Sequence, residues 1–151
     1  MKNLKSFLIV LFGALVLFSS CSTDKTMIAK GVNLNKYEYA SLTQSRNGQG
    51  AATDIEIKPG IYDAVEATRL QMIGDRRLED LTPEQKEKLV LVKYSTTSEA
   101  QKSELSVSFE DYMTGKVVAS SRVSSTSTFT HQAAVDKAVR KMANRIHSIW
   151  K

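Results

Sequence analysis

Between Leu89 and Ser127 the apolar residues obey strand rules, and this stretch most narrows what the chain can fold into. Leu89, Val90, Leu91 and Val92 form a short unbroken apolar run of the kind found in a strand buried on both faces and central in its sheet. Leu105, Val107 and Phe109 then alternate with Ser106, Ser108 and Glu110, the pattern of a half-buried strand. Asp111-Tyr112-Met113-Thr114-Gly115 supplies a turn in which Gly115 is free to take positive φ. A further strand is expected from Lys116 to Ser127, apolar at Val117, Val118 and Ala119 and rich in Ser and Thr afterwards, which fits an exposed edge strand. The polar segment Ser95 to Ser103 reads as the loop joining the first two of these strands. Three strands so closely linked favour an antiparallel arrangement.

Helical periodicity occurs on either side. From about Gly60 to Ile73, apolar residues recur every three or four positions at Ile61, Ala64, Val65 and Met72, with Gly74 placed to end the helix. Thr82-Pro83-Glu84-Gln85 predicts a short helical turn capped by Thr82. The last helix runs from His131 to about Trp150 behind Thr130 as cap, with Val135, Val139, Met142, Ile146 and Trp150 forming its core-facing stripe. Leu34 to Thr43 reads as the first strand, and Gln44 to Asp54, with Gly48 and Gly50, as a loop. The expected fold is α+β: a single small, mainly antiparallel sheet of about four strands, in the order β-α-β-β-β-α, with two helices packed on one face.

Upstream of the domain, Lys2 and Lys5 precede an apolar run from Phe7 to Phe18, and Ser19 and Ser20 lead to the only cysteine, Cys21. The run is shorter than the roughly 20 residues needed to cross a bilayer and fits the apolar core of an export signal. A small residue directly before a cysteine resembles the processing site of a bacterial lipoprotein, with Phe18 standing where Leu is usual and Leu17 one step earlier. The expected organisation is therefore a signal peptide over residues 1–20, a lipidated N-terminus and flexible tether over 21–33, and one domain over 34–151. One cysteine permits no internal disulfide, and an acylated Cys21 leaves no thiol for catalysis. Lys2 and Lys5 leave with the signal, so the remainder carries 19 basic against 16 acidic side chains, a net of +3. That mild excess comes with no nucleic-acid motif, and no nucleic-acid partner is expected.

Catalytic signatures are sparse. His131 and His147, on one helix, would lie roughly 24 Å apart and could not share a metal ion. Gly48-Gln49-Gly50 lacks the third glycine of a dinucleotide loop, since Thr53 occupies that position. Glu79-Asp80 and Glu110-Asp111 are adjacent carboxylates, and neighbours on a strand point to opposite faces. No catalytic residue, metal ligand or cofactor is assigned. The remaining candidate contact is the basic face of the last helix, Lys137, Arg140, Lys141 and Arg145, suited to acidic headgroups, an anionic glycan or an acidic partner patch.

Lys36-Tyr37-Glu38-Tyr39, the Phe109 to Gly115 hairpin and the alanine- and lysine-rich final helix together resemble a group of small lipoproteins of Gram-negative envelopes. More distantly, the chain is similar to accessory lipoproteins of secretion channels and peptidoglycan synthases. The resemblance implies a non-enzymatic, lipid-anchored interaction or assembly module facing the periplasm. Ser22, where an aspartate after the cysteine would favour the inner membrane, points to the outer membrane. The competing expectation is an envelope hydrolase acting on peptidoglycan or other glycans, which would require two convergent carboxylates in a cleft.

Overall fold

A computed structural model describes residues 24–43, 51–74, 77–99 and 101–151. These form an α+β domain built on one mixed six-stranded sheet. The strands are β1 (Lys25–Ile28), β2 (Tyr39–Thr43), β3 (Gln71–Met72), β4 (Leu89–Glu99), β5 (Lys102–Asp111) and β6 (Val117–Thr126), in the spatial order β1-β6-β5-β4-β2-β3. The helices are α1 (Ala51–Glu66), α2 (Pro83–Glu87) and α3 (His131–Ile149). The class agrees with the sequence. The sheet is larger than expected and includes parallel pairs, because β2 lies parallel to both β3 and β4.

The antiparallel half of the sheet follows directly from the alternation. Leu105, Val107 and Phe109 of β5 are buried and face Thr96, Tyr94 and Val92 across β4 and Val123, Ser121 and Ala119 across β6. Helices α1 and α3 cover this face, contributing Ile57, Ile61 and Val65 from one and Val135, Met142 and Ile146 from the other to a common core with Val90, Val92 and Phe109. Trp150, immediately after α3, is fully buried in it. Thr130 caps α3 by accepting a hydrogen bond from Ala133 N at 3.1 Å. Thr82 and Gln85 form a reciprocal capping box at α2.

Several local expectations are corrected. The polar segment 95–103 is mostly strand: β4 continues to Glu99 and β5 begins at Lys102, leaving a two-residue connection. Ser and Thr take pleated backbone well, so polarity there does not exclude a strand, and Ser103 even turns to the covered face. Within 34–43 only Tyr39–Thr43 is strand. Leu34–Lys36 is a 3₁₀ turn, because the Asn33 side chain accepts from Asn35 N at 3.1 Å and offers the backbone a local alternative to pairing. The helix expected over 60–73 spans Ala51–Glu66, with Pro59 inside it, and Gln71–Met72 forms β3 instead of a last helical turn. Gly74 consequently follows a strand. The glycine pair Gly48 and Gly50 lies outside the described residues.

β6 is also not the sheet edge. Lys25–Ile28, assigned by sequence to the tether, pair antiparallel with it, from Lys25 opposite Arg122 to Ile28 opposite Ala119. All four residues of β1 are exposed, so the strand lacks the apolar periodicity by which strands are found in sequence.

The two long helices meet at Gly60. A Cβ built there would lie 2.5 Å from Val139 Cγ1 of α3, so the small residue sets how closely α1 and α3 approach. Gly60→Ala gains up to about 1 kcal/mol of helix propensity but overpacks the contact at a cost of about 1–3 kcal/mol. A net destabilisation of about 1 kcal/mol is expected in urea denaturation, and adding Val139→Ala should cost less than its effect alone because the two changes relieve one clash. Additive losses would show that the helices already have room to part.

Candidate interaction surface on the open sheet face

The face of the sheet turned away from α1 and α3 carries the polar half of each alternation. Lys93 and Ser95 project from β4, Glu104, Ser106, Ser108 and Glu110 from β5, Ser120 and Arg122 from β6, and Lys25 and Met27 from β1. Most of these residues line a shallow groove of about 690 Å³. Cross-strand register places them in rows: Lys25, Arg122, Ser106 and Ser95 form one, and Met27, Ser120, Ser108 and Lys93 the next.

Charge in the groove is internally balanced and still accessible. Lys93 pairs with Glu110 and Arg122 with Glu104 at 3.4 Å, while Arg122 Nε also donates to Ser106 Oγ at 3.2 Å. The lysine and arginine side chains keep 44% and 60% of their surface exposed, so these pairs are wet and exchangeable. Met27 adds a half-exposed apolar contact at the edge. Hydroxyl groups that both donate and accept, with ion pairs able to reopen, suit a hydroxyl-rich or extended polar ligand.

The carboxylates are distributed without convergence. Glu110 and Asp111 occupy opposite faces, as alternation requires: Glu110 meets Lys93 on the open face, whereas Asp111 is buried on the helix side. Glu104 and Glu110 share the open face but stand six residues apart on one strand, roughly 20 Å. Glu79 and Asp80 are exposed in a turn. His131 and His147 both lie on α3, with the separation expected from the helical rise. Among the described residues no group of three or more His, Cys, Asp or Glu side chains is arranged to hold a metal ion.

The basic face of α3 is divided. Lys137 and Arg140 are exposed. Lys141 instead turns to the start of the domain, donating from Nζ to Ser124 O at 2.9 Å and to Asp24 Oδ2 at 3.4 Å, and Arg145 Nη2 lies 3.9 Å from the same oxygen. Asp24 also accepts from Ser124 N at 3.0 Å. Burial opposes ionisation of this carboxyl, but the Ser124 N–H, Lys141 and Arg145 outweigh it and hold Asp24 below the usual carboxylate range. Lys141 thus fastens the chain entering β1, with Arg145 as a looser, exposed ion pair to the same carboxylate. Cys21 lies outside the described residues. Met27 and Asp24 gave no signal in a segment that reads as tether, whereas Ser106, Ser108 and Glu110 were already legible as the solvent half of β5.

No protein-family model matches the chain, and no curated protein is detectably similar to it in sequence. Its fold is similar to that of the PelC dodecamer from Paraburkholderia phytofirmans, with a TM-score of 0.57 at 9% identity over 83% of this chain and 97% of that one. A leucine-to-methionine variant of the same dodecamer gives 0.57 at 8% identity, over 83% of this chain and 98% of that one. A PDZ domain protein from Parabacteroides distasonis aligns at a TM-score of 0.48 and 8% identity, this chain spanning about a third of that protein.

Proposed function

We propose that this protein is a non-enzymatic interaction or assembly module of the cell envelope, anchored at the outer membrane through a lipid on Cys21 and facing the periplasm. Its docking surface is the Ser-rich groove on the open sheet face, and its partner is an envelope protein or an anionic glycan, with Lys137 and Arg140 as a secondary contact. The observation that carries this reading is the groove itself: broad, shallow and lined by hydroxyls and exposed cations. The hydrolase alternative needs two carboxyl groups about 5 to 9.5 Å apart, and the open-face carboxylates Glu104 and Glu110 exceed that span and are each engaged by a cation. The export signal and the resemblance to envelope lipoproteins support the address. PelC is a dodecamer, and a second copy of this chain is accordingly one admissible partner.

A photocrosslinking residue at Ser108 in cells, followed by purification of the acylated protein, tests the groove. A discrete crosslinked product is expected, and Ser106→Trp, which fills the groove from a half-buried surface position, should reduce it at least roughly tenfold while shifting stability by no more than about 0.5 kcal/mol. Absence of any product, together with glycan-cleaving activity in the purified protein, would replace this reading by the hydrolase.

A further inference from the structure

We infer that the end of the domain bearing Asp24 rests directly on the bilayer, with the Phe129 ring entering the membrane interface. This rests on the reading that Cys21 carries the lipid anchor. Asp24 is fixed to the domain: its carboxylate, 9% exposed, accepts from Ser124 N and is paired with Lys141 and Arg145. Only three residue steps separate it from Cys21, at most roughly 11 Å of chain. The tether expected over 21–33 is thereby shortened to a link comparable to the depth of the headgroup layer, about 5 to 8 Å. A domain so closely held cannot hang free of the surface; some face of it must meet the headgroups.

The face is selected by what lies around Asp24. Phe129 is 91% exposed, the most exposed large apolar side chain among the described residues. It follows Ser124 by five residues, within roughly 17 Å of chain, and it sits in a short connection braced on both sides. Its N–H donates to Ser127 Oγ at 3.2 Å, and the next residue, Thr130, caps α3. Lys25, next to Asp24, and Lys102, opposite Thr126 at the same end of the sheet, are exposed cations suited to anionic headgroups. An aromatic ring at the same end of the sheet as these cations, on a braced loop within reach of the anchor, has the character of an interfacial contact.

The test uses the acylated protein carrying Phe129→Trp, bound to vesicles of phosphatidylethanolamine and phosphatidylglycerol with or without brominated acyl chains, against acylated wild type, whose buried Trp150 sets the background. Emission from the indole at position 129 should shift to the blue on vesicles and fall roughly twofold in brominated lipid. Protein that floats with the vesicles while that indole stays water-exposed and unquenched overturns the docking alone. A blue shift already complete without vesicles assigns Phe129 to a second copy or a protein contact and also overturns it. An unmodified Cys21 by mass spectrometry, with protein that does not float, overturns the anchoring reading and the docking with it.

Discussion

Trp150→Ala is expected to destabilise the domain by about 4 kcal/mol, a large part of the total stability of a domain this size. Trp150 is fully buried although it is the penultimate residue. Its ring meets Phe109 of β5 edge-on, with centroids 5.1 Å apart at 62°, and Tyr37 at 6.1 Å and 86°. The Arg69 guanidinium lies 5.5 Å from the ring centroid while its nitrogens donate to Tyr37 O and Leu34 O, both at 2.6 Å. One side chain therefore joins α3, β5, the 3₁₀ turn and the segment after α1. Alanine would leave a cavity bordered by the Phe109 and Tyr37 rings, and the rigid sheet on one side limits collapse. The indole N–H is buried without a hydrogen-bond partner among the described residues, so the loss is one of packing. Trp150→Phe should accordingly recover more than half of it. Denaturant unfolding followed by far-ultraviolet circular dichroism measures both; a loss under about 1.5 kcal/mol for the alanine variant would mean that the aromatic junction is dispensable.

Much of this architecture is legible in the chain, for identifiable reasons. Leu105, Val107 and Phe109 alternate because one face of β5 is buried and the other is wet, and α3 keeps a clear stripe because it packs on one side only. Thr82 and Thr130 signal helix starts by their own side-chain chemistry. Legibility fails where an element is held by something other than its own pattern. β1 is exposed along its length and is fixed by its backbone ladder to β6 and by Asp24, whose partners lie about a hundred residues away in sequence. β3 is two residues long and exists because β2 presents an edge to it: Gln71 N bonds Glu38 O and Ile73 N bonds Ala40 O. The start of α1 was hidden because Pro59 reads as a first-turn residue, whereas it lies inside the helix.

The candidate site shows the same division. Groove residues of β5 follow from parity alone, since whatever alternates with a buried series must face the other way. That Arg122 and Lys25 stand beside Ser106 follows only from strand order, which depends on long-range pairing. The basic stripe of α3 was visible as a stripe, yet its division between Lys137 and Arg140 and the pair that reaches Asp24, Lys141 and the still exposed Arg145, required knowing where Asp24 sits.

Asp111→Ala should cost about 3 kcal/mol, the second large loss, and Asp111→Asn should separate its charge from its shape. The Asp111 carboxylate is the hub of the β5–β6 turn. Oδ1 accepts from Thr114 N at 2.8 Å and from Thr114 Oγ1 at 3.0 Å, while Oδ2 accepts from Tyr37 Oη at 2.9 Å and Lys36 Nζ at 3.2 Å. It thereby fastens a turn that uses Gly115 at φ 66° to the 3₁₀ segment more than seventy residues earlier. Burial opposes its charge, but the Thr114 N–H, the Tyr37 hydroxyl, Lys36 and the Thr114 hydroxyl together hold the carboxyl at about 2, below the ordinary 3.8. Because the folded value is depressed, the contribution is complete above pH 4 and is lost as pH falls toward 2; the shift corresponds to about 2 kcal/mol. Tyr37 works in the opposite direction. Burial, reinforced by Asp111, pushes its hydroxyl up to about 12, so its contribution is complete below pH 10 and fades as pH rises through 12. Asp24, also depressed, weakens the fold in acid as well, which makes the difference between wild type and Asp111→Asn the informative quantity. That difference should be constant from pH 5 to 8 and narrow by about 2 kcal/mol between pH 4 and 2. A difference that does not change with pH would show that the Asp111 charge is not what the turn requires, leaving shape alone to account for its position.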